Sequence, residues 1–281
     1  MKKLTLITAF MISGLAFSQN LKISEIHISN GSGSIGSQNG TLTDFAKLAP
    51  NSAILGMDLS QLKPYDYAYF NGFGMNSISN STSLQLGLQC AKMPKITFRV
   101  GLTHSSNNGI LSAHGSFYES APYDTLTSSQ TGQQTFIDSS HTKSYDMNYS
   151  NQQIRLDGAM IFRMFPEKRW SLHTGLGASI GMSYSAKTSL RYWESSSINS
   201  NNQGYYNETG LNETFKNKNS LGASLYIPFG IDFGIGKKRE FWMPFHLYAE
   251  TRPSLNINSI NGIGAQFSPG MSSALGLRVK L

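Results

Sequence analysis

The chain has 281 residues, a formal charge of +7, 14% charged residues and one cysteine. A single thiol excludes an intramolecular disulfide framework, and modest basicity without a long Lys/Arg run excludes a nucleic-acid-binding surface. So few charges, with abundant Gly, Ser, Asn and Thr, are unusual in a soluble protein and suit a fold with one greasy face and one polar face.

The chain opens on Lys2 and Lys3, followed by an apolar run over residues 4–17 and by Ala16-Phe17-Ser18, with small residues at its outer positions. This is the layout of a secretory signal peptide (residues 1–18), with cleavage before Gln19. The run is shorter than the roughly 20 residues a spanning helix needs, and no Cys follows it to carry a lipid. About 263 residues remain, enough for one large all-β domain or two small ones. Residues 19–62 are the least patterned: 20–29 is β-like, 30–41 is a Gly/Ser/Asn loop, and 42–48 forms a short helix behind Thr41 or Thr43. The segment reads as a periplasmic extension, an edge strand or a small plug.

From residue 80 onward the dominant signal is period-two hydrophobicity. Over residues 170–184, Trp170, Leu172, Leu176, Ile180, Met182 and Tyr184 share one face, while Ser171, His173, Gly175, Gly177 and Ser179 share the other. Residues 84–90, 96–102, 154–164, 219–235, 241–251 and 271–281 repeat the pattern, giving seven segments. Several exceed the five or six residues usual in soluble strands and match the roughly 9–11 residues of a tilted membrane strand. The apolar faces carry no Asp, Glu, Lys or Arg, whereas the opposite faces carry Arg99, Arg155, Asp157, Arg163, Asp232, Glu250, Arg278 and Lys280. A lipid-facing Arg or Lys at mid-depth costs about 2–4 kcal/mol, which is the bias this distribution obeys.

Residues 92–95, 166–169 and 236–240 read as tight turns, and about 119–141, 195–219 and 258–269 as long polar loops. Short periplasmic turns alternating with long outer loops are the outer-membrane pattern. Phe165, Trp170, Phe241 and Trp242 lie by the short turns, and Tyr145, Tyr149, Tyr184, Tyr192 and Trp193 towards the loops, as two interfacial girdles. Seven strands require an eighth before residue 80, from residues 65–75 or 53–59. The expected fold is therefore all-β: an antiparallel transmembrane up-and-down β-barrel over residues 63–281, of eight strands, with ten as the alternative.

With this layout, an end reading Ala274-Leu275-Gly276-Leu277-Arg278-Val279-Lys280-Leu281 resembles the small Gram-negative outer-membrane β-barrel proteins. The likeness is one of pattern, without a diagnostic motif, and covers about residues 65–281. It implies outer-membrane lipid as the surroundings, and Leu277, Val279 and Leu281 as the terminal signal read by the barrel-assembly machinery. The family usually ends in Phe or Trp where Leu281 stands here.

The interior of an eight-stranded barrel is filled by its own side chains, so the inward charges, with His246, read as a structural network in which buried charges are paired. His246 and Glu250 are about 13 Å apart by strand rise, too far for a direct hydrogen bond, and no nucleophile is marked. The six histidines lack metal-ligand spacing, and Cys90 is read as facing lipid. No enzyme, metal or cofactor is expected. Aromatic and amide-rich loops suit a binding, adhesion or envelope-assembly role, with a secretion complex as a candidate partner. The alternatives are a small porin-like transport barrel and, more remotely, a barrel hydrolase.

Overall fold

The computed structural model describes residues 21–64, 77–90, 93, 95–200, 203–236 and 240–281. The expected signal peptide and the strand candidate at residues 65–75 lie outside them. The strands are β1 (Leu21–Ile35), β2 (Gln38–Asn39), β3 (Lys63–Pro64), β4 (Ser77–Cys90), β5 (Ile96–Thr127), β6 (Gln134–Met164), β7 (Trp170–Ser200), β8 (Gln203–Asn217), β9 (Leu221–Tyr226), β10 (Phe229–Gly234), β11 (Phe245–Ile260) and β12 (Gly264–Lys280), with one short helix, α1 (Leu42–Leu48).

Eight staves close a ring in the order β1, β4, β5, β6, β7, β9–β10, β11, β12 and back to β1, each antiparallel to two neighbours. A hydrogen-bonded row leaves β7 at Leu172 and passes Ile231, Ala249, Leu275, Asn30, Thr82, His104 and Ile154. It returns to β7 at Met182, ten residues further along. Ten residues of stagger over eight staves, at a rise of about 3.3 Å and a spacing of about 4.8 Å, tilt the strands by about 40°. Leu84, Leu102, Leu176, Ile180, Leu225 and Leu275 on the outer face are all more than half exposed, whereas Arg278, Gln85 and Ser183 on the inner face are buried. A surface with apolar residues outside and charges inside is that of a transmembrane barrel.

The eighth strand is β1, so the barrel begins at Leu21 rather than at residue 63. Residues 53–59 hold a 3-10 turn, Ile54–Gly56. Alternation in β1 is hidden because a register shift between Ile23 and Glu25 breaks its phase, and because Asn30 and Ser32 follow Ile26 and Ile28 on the outer face. Two other expected strands also change. The stave expected over residues 219–235 is split at Ile227 and Pro228, where proline cannot donate to a ladder. The strand expected from residue 241 starts at Phe245, after Pro244, and Glu240–Trp242 form a 3-10 turn.

The polar stretches expected as loops are mostly strand. β5 and β6 pair as far as Thr127 and Gln134, β7 and β8 as far as Ser200 and Gln203, and β11 and β12 as far as Ile260 and Gly264. The upper halves of β5, β6, β7 and β8 project beyond the barrel as a four-stranded sheet. Between β1 and β4, the chain pairs β2 and β3 with β5 and packs α1 over the barrel mouth. Phe45, Leu48 and Ile54 there join Ile110, Leu111, Tyr145, Met147, Tyr149, Leu190 and Ile260 in one buried apolar cluster. Of the readings open for residues 19–62, a plug fits only residues 36–62, and it sits at the outer mouth.

Candidate functional site: a filled lumen and a projecting sheet

Two layers of charge cross the lumen. In the layer nearer the short turns, Arg163 donates two hydrogen bonds to Glu25 at 2.7 and 3.2 Å. Arg278 donates to Glu25 at 2.6 Å and twice to Asp232 at 2.7 Å. His246 Nδ1 lies 2.7 Å from Asp232, and His27 Nε2 lies 3.0 Å from Glu25. In the second layer, Glu250 receives Arg99 at 2.6 Å, Arg252 at 2.5 Å and His173 at 2.7 Å. Asp157 receives Arg252 at 3.2 Å, Gln85 at 3.1 Å, Thr103 at 3.2 Å and the Tyr226 hydroxyl.

Small residues opposite large ones make room for these layers. A Cβ on Gly276 would come within 2.5 Å of the Tyr248 ring, and one on Gly177 would overlap the Tyr226 ring. The tyrosines therefore lie flat across the lumen against glycine backbone, Tyr248 with its ring centroid 5.6 Å from that of His27.

The structure thus brings together Arg99 with Glu250, and Arg163 with Asp232 through Glu25 and Arg278. His246 and Glu250 do not meet; each bonds a different partner. Arg155 bonds Gln153 at 2.7 Å, and its Nη2 has no hydrogen-bond partner among the described residues. Sequence reading missed Glu25, His27, Gln85 and Arg252, and it set His173 and Tyr226 on the polar face without joining them to the charged network. Glu25 and His27 went unseen with β1, although their spacing of two next to Ile26 and Ile28 carried the signal. Arg252 escaped because the strand holding it was taken to end at Thr251.

Phe165, Trp170 and Trp242 stand exposed by the short turns and Tyr184 by the opposite rim, where its hydroxyl meets His104 at 2.7 Å. Trp193 is no girdle residue: it lies nine residues beyond Tyr184 along β7, about 30 Å of extended chain, on the projecting sheet and beside Arg191. Leu277 and Val279 pair with Ile28 and Ile26 across the closing seam, and the Leu281 amide donates to Ser24 at 2.9 Å. Cys90, expected to face lipid, is buried at the end of β4.

In the projecting sheet the order is β5, β6, β7, β8. Beyond Ser116, β5 pairs only with β6, and β8 pairs only with β7 among the described residues. Tyr118, Tyr123, Phe136 and Tyr206 are each more than 60% exposed on it. The lid is tied to its base: Ser52 and the Ala53 amide donate to Glu213, the latter at 2.9 Å, and Asn217 donates to the Leu48 carbonyl at 2.8 Å. Burial in that junction pushes the Tyr145 and Tyr149 phenols above their ordinary value.

No protein-family description and no curated protein matches this sequence. Among solved structures, the chain is similar to Neisserial surface protein A, at 9% identity over 94% of this chain and 100% of that one, TM-score 0.36. It is also similar to Ail, the attachment invasion locus protein of Yersinia pestis, at 12% identity over 92% and 99%, TM-score 0.22. A third is the translocator domain of the autotransporter NalP from Neisseria meningitidis, at 8% identity over 99% and 97%, TM-score 0.19. Likenesses this distant leave the barrel assignment resting on the chain's own strand register and apolar belt.

Proposed function

We propose that this chain is a non-catalytic outer-membrane barrel of a Gram-negative envelope that binds an extended polypeptide along the edge of its projecting sheet. The observation that carries the reading is β8: among the described residues it is paired on one side only, with β7, which leaves a row of backbone N–H and C=O groups along its other edge. An edge of this kind is a template for an added strand, with main-chain hydrogen bonds giving affinity and alternate side chains giving specificity. Exposed Tyr206 and Leu211 on β8 offer such contacts. The lumen charges are structural in this reading, because each of the four acids Glu25, Asp157, Asp232 and Glu250 is paired with at least one arginine. Export through a signal peptide and folding by the barrel-assembly machinery complete the proposal, and the partner is a surface or secretion-complex protein.

A photo-crosslinker at Tyr206, used on intact cells, tests it. The expected result is a covalent adduct with one polypeptide, together with slowed amide exchange along β8 in the purified complex. Adducts equal to those of a crosslinker at Trp170, or binding that leaves β8 exchange unchanged, would contradict it.

A further inference from the structure

The charges of the lumen do not balance. In the layer nearer the short turns, Arg163 and Arg278 meet Glu25 and Asp232; in the second layer, Arg99 and Arg252 meet Glu250 and Asp157. Arg155 is a fifth arginine, and it forms no ion pair among the described residues. Lys280, half-buried at the end of the chain, keeps its ammonium at the lower mouth. Asp157, two residues from Arg155 on the same face, already accepts from Arg252, Gln85, Thr103 and Tyr226. The next acids outward, Asp146 and Glu213, stand nine residues beyond the level of Arg155 along β6 and β7, about 30 Å of strand. Arginine does not deprotonate in proteins, and a buried charge without a counter-charge is costly.

Arg155 belongs to a hydrogen-bonded row that passes Thr103, Arg155, Gly181, Gly222 and Asn258. A Cβ on Gly181 would meet Arg155 Cγ at 2.6 Å, and one on Gly222 would meet Asn258 Oδ1 at 2.7 Å, so both side chains lie over glycine backbone. Gln153 ties them together, accepting from Arg155 Nε at 2.7 Å and donating to Asn258 Oδ1 at 3.0 Å. Two donors of this row, Arg155 Nη2 and Asn258 Nδ2, are buried with no partner among the described residues. A chamber of about 100 Å³ lies beside Arg155, lined by the hydroxyls of Ser105, Ser179, Ser224 and Ser254. A water needs roughly 10–15 Å³ of such space, so the chamber has room for an ion and several waters. Ser105 accepts from Asn108 at 3.0 Å and Ser254 from Asn256 at 3.1 Å, which leaves each hydroxyl hydrogen to donate.

We propose that this chamber binds one small monovalent inorganic anion of chloride size, held by Arg155 Nη2 and serine hydroxyls. Charge sets the valence, because one excess cation calls for one negative charge. Surroundings set the size: the charge layers stand below the chamber, and the amides of Asn151, Gln153 and Asn258 stand above it. The unpartnered groups of the row are N–H donors, which an anion accepts and a metal cation does not. Water could accept the same hydrogen bonds, but it brings no charge. The site lies inside the barrel and is independent of the peptide-binding edge.

Urea unfolding of the chain refolded in phosphatidylcholine vesicles tests it, with gluconate exchanged for chloride at fixed ionic strength. For one ion held only by the folded barrel, the unfolding constant falls about tenfold for each tenfold rise in chloride above the dissociation constant. That dependence is expected in the parent and should vanish in Arg155→Gln, which carries no charge to balance. Should the variant fail to fold, anomalous diffraction from parent crystals grown in bromide decides the matter. One bromide in hydrogen-bonding contact with Arg155 Nη2 is expected there. A parent indifferent to chloride, an equal chloride dependence in Arg155→Gln, or a lumen without bromide would overturn the proposal.

Discussion

Glu25 and Arg278, 253 residues apart in the chain, meet at 2.6 Å across the seam where the first stave closes on the last. The same carboxylate holds Arg163 from the far wall at 2.7 Å, so one acid links three staves. Removing one partner of a buried ion pair leaves the other uncompensated, at a cost of about 3–5 kcal/mol. Glu25→Ala is expected to destabilise the barrel by that amount, read by urea unfolding of refolded protein in lipid vesicles. Stability equal to the parent would show that the seam is not held by this contact.

Gly177 faces the Tyr226 ring, and Tyr226 donates to Asp157. Gly177→Val forces that ring aside. Overpacking of this kind costs about 1–3 kcal/mol. The expected result is a lower urea midpoint, with Gly177→Val and Tyr226→Phe costing less together than the sum of their separate effects. Strict additivity would contradict the proposed packing.

The lid has its own pH dependence. The Thr41 hydroxyl and backbone amide donate to Asp44 at 2.8 and 3.1 Å and hold its carboxyl below the ordinary value. A depressed folded value means that this stabilisation is present above the unfolded value, about 3.9, and is lost as pH falls through the folded one. Amide exchange in α1, corrected for intrinsic rate, should accelerate below about pH 4 in the parent. In Asp44→Asn it should be fast already at neutral pH and change little on acidification. A parent and variant with the same profile would count against the capping contact.

The two charge layers cross the lumen below the lid. Replacing residues 40–62 by a short linker should therefore yield no steady solute-sized channel in planar bilayers. Glu250→Ala combined with that deletion should give only brief openings. Stable conductance from the parent chain would favour the transport alternative.

Much of this architecture was legible in the alternation of the chain, because a wall between lipid and a filled lumen imposes the strongest contrast a strand can carry. The inward positions of Arg99, Asp157, Arg163, Asp232, Glu250 and Arg278 followed from that contrast alone. It fades where both faces meet water: residues 195–200, Ser-Ser-Ser-Ile-Asn-Ser, belong to a 31-residue strand that hydropathy reads as loop. It fades again where the outer face is polar, as at Asn30 and Ser32, and there the first stave was lost, and with it Glu25, the acid that joins Arg163 to Arg278.

The central claim is that the apolar face is bathed by acyl chains while the projecting sheet stands in water. The chain's three tryptophans divide between those settings, with Trp170 and Trp242 by the short turns and Trp193 on the sheet. Single-tryptophan variants refolded into vesicles of lipids brominated along the acyl chain test this directly. Fluorescence from Trp170 and Trp242 should be quenched by the brominated lipid and shielded from aqueous iodide, and Trp193 should behave in the opposite way. Quenching of all three by iodide alone would mean that no membrane surrounds this barrel.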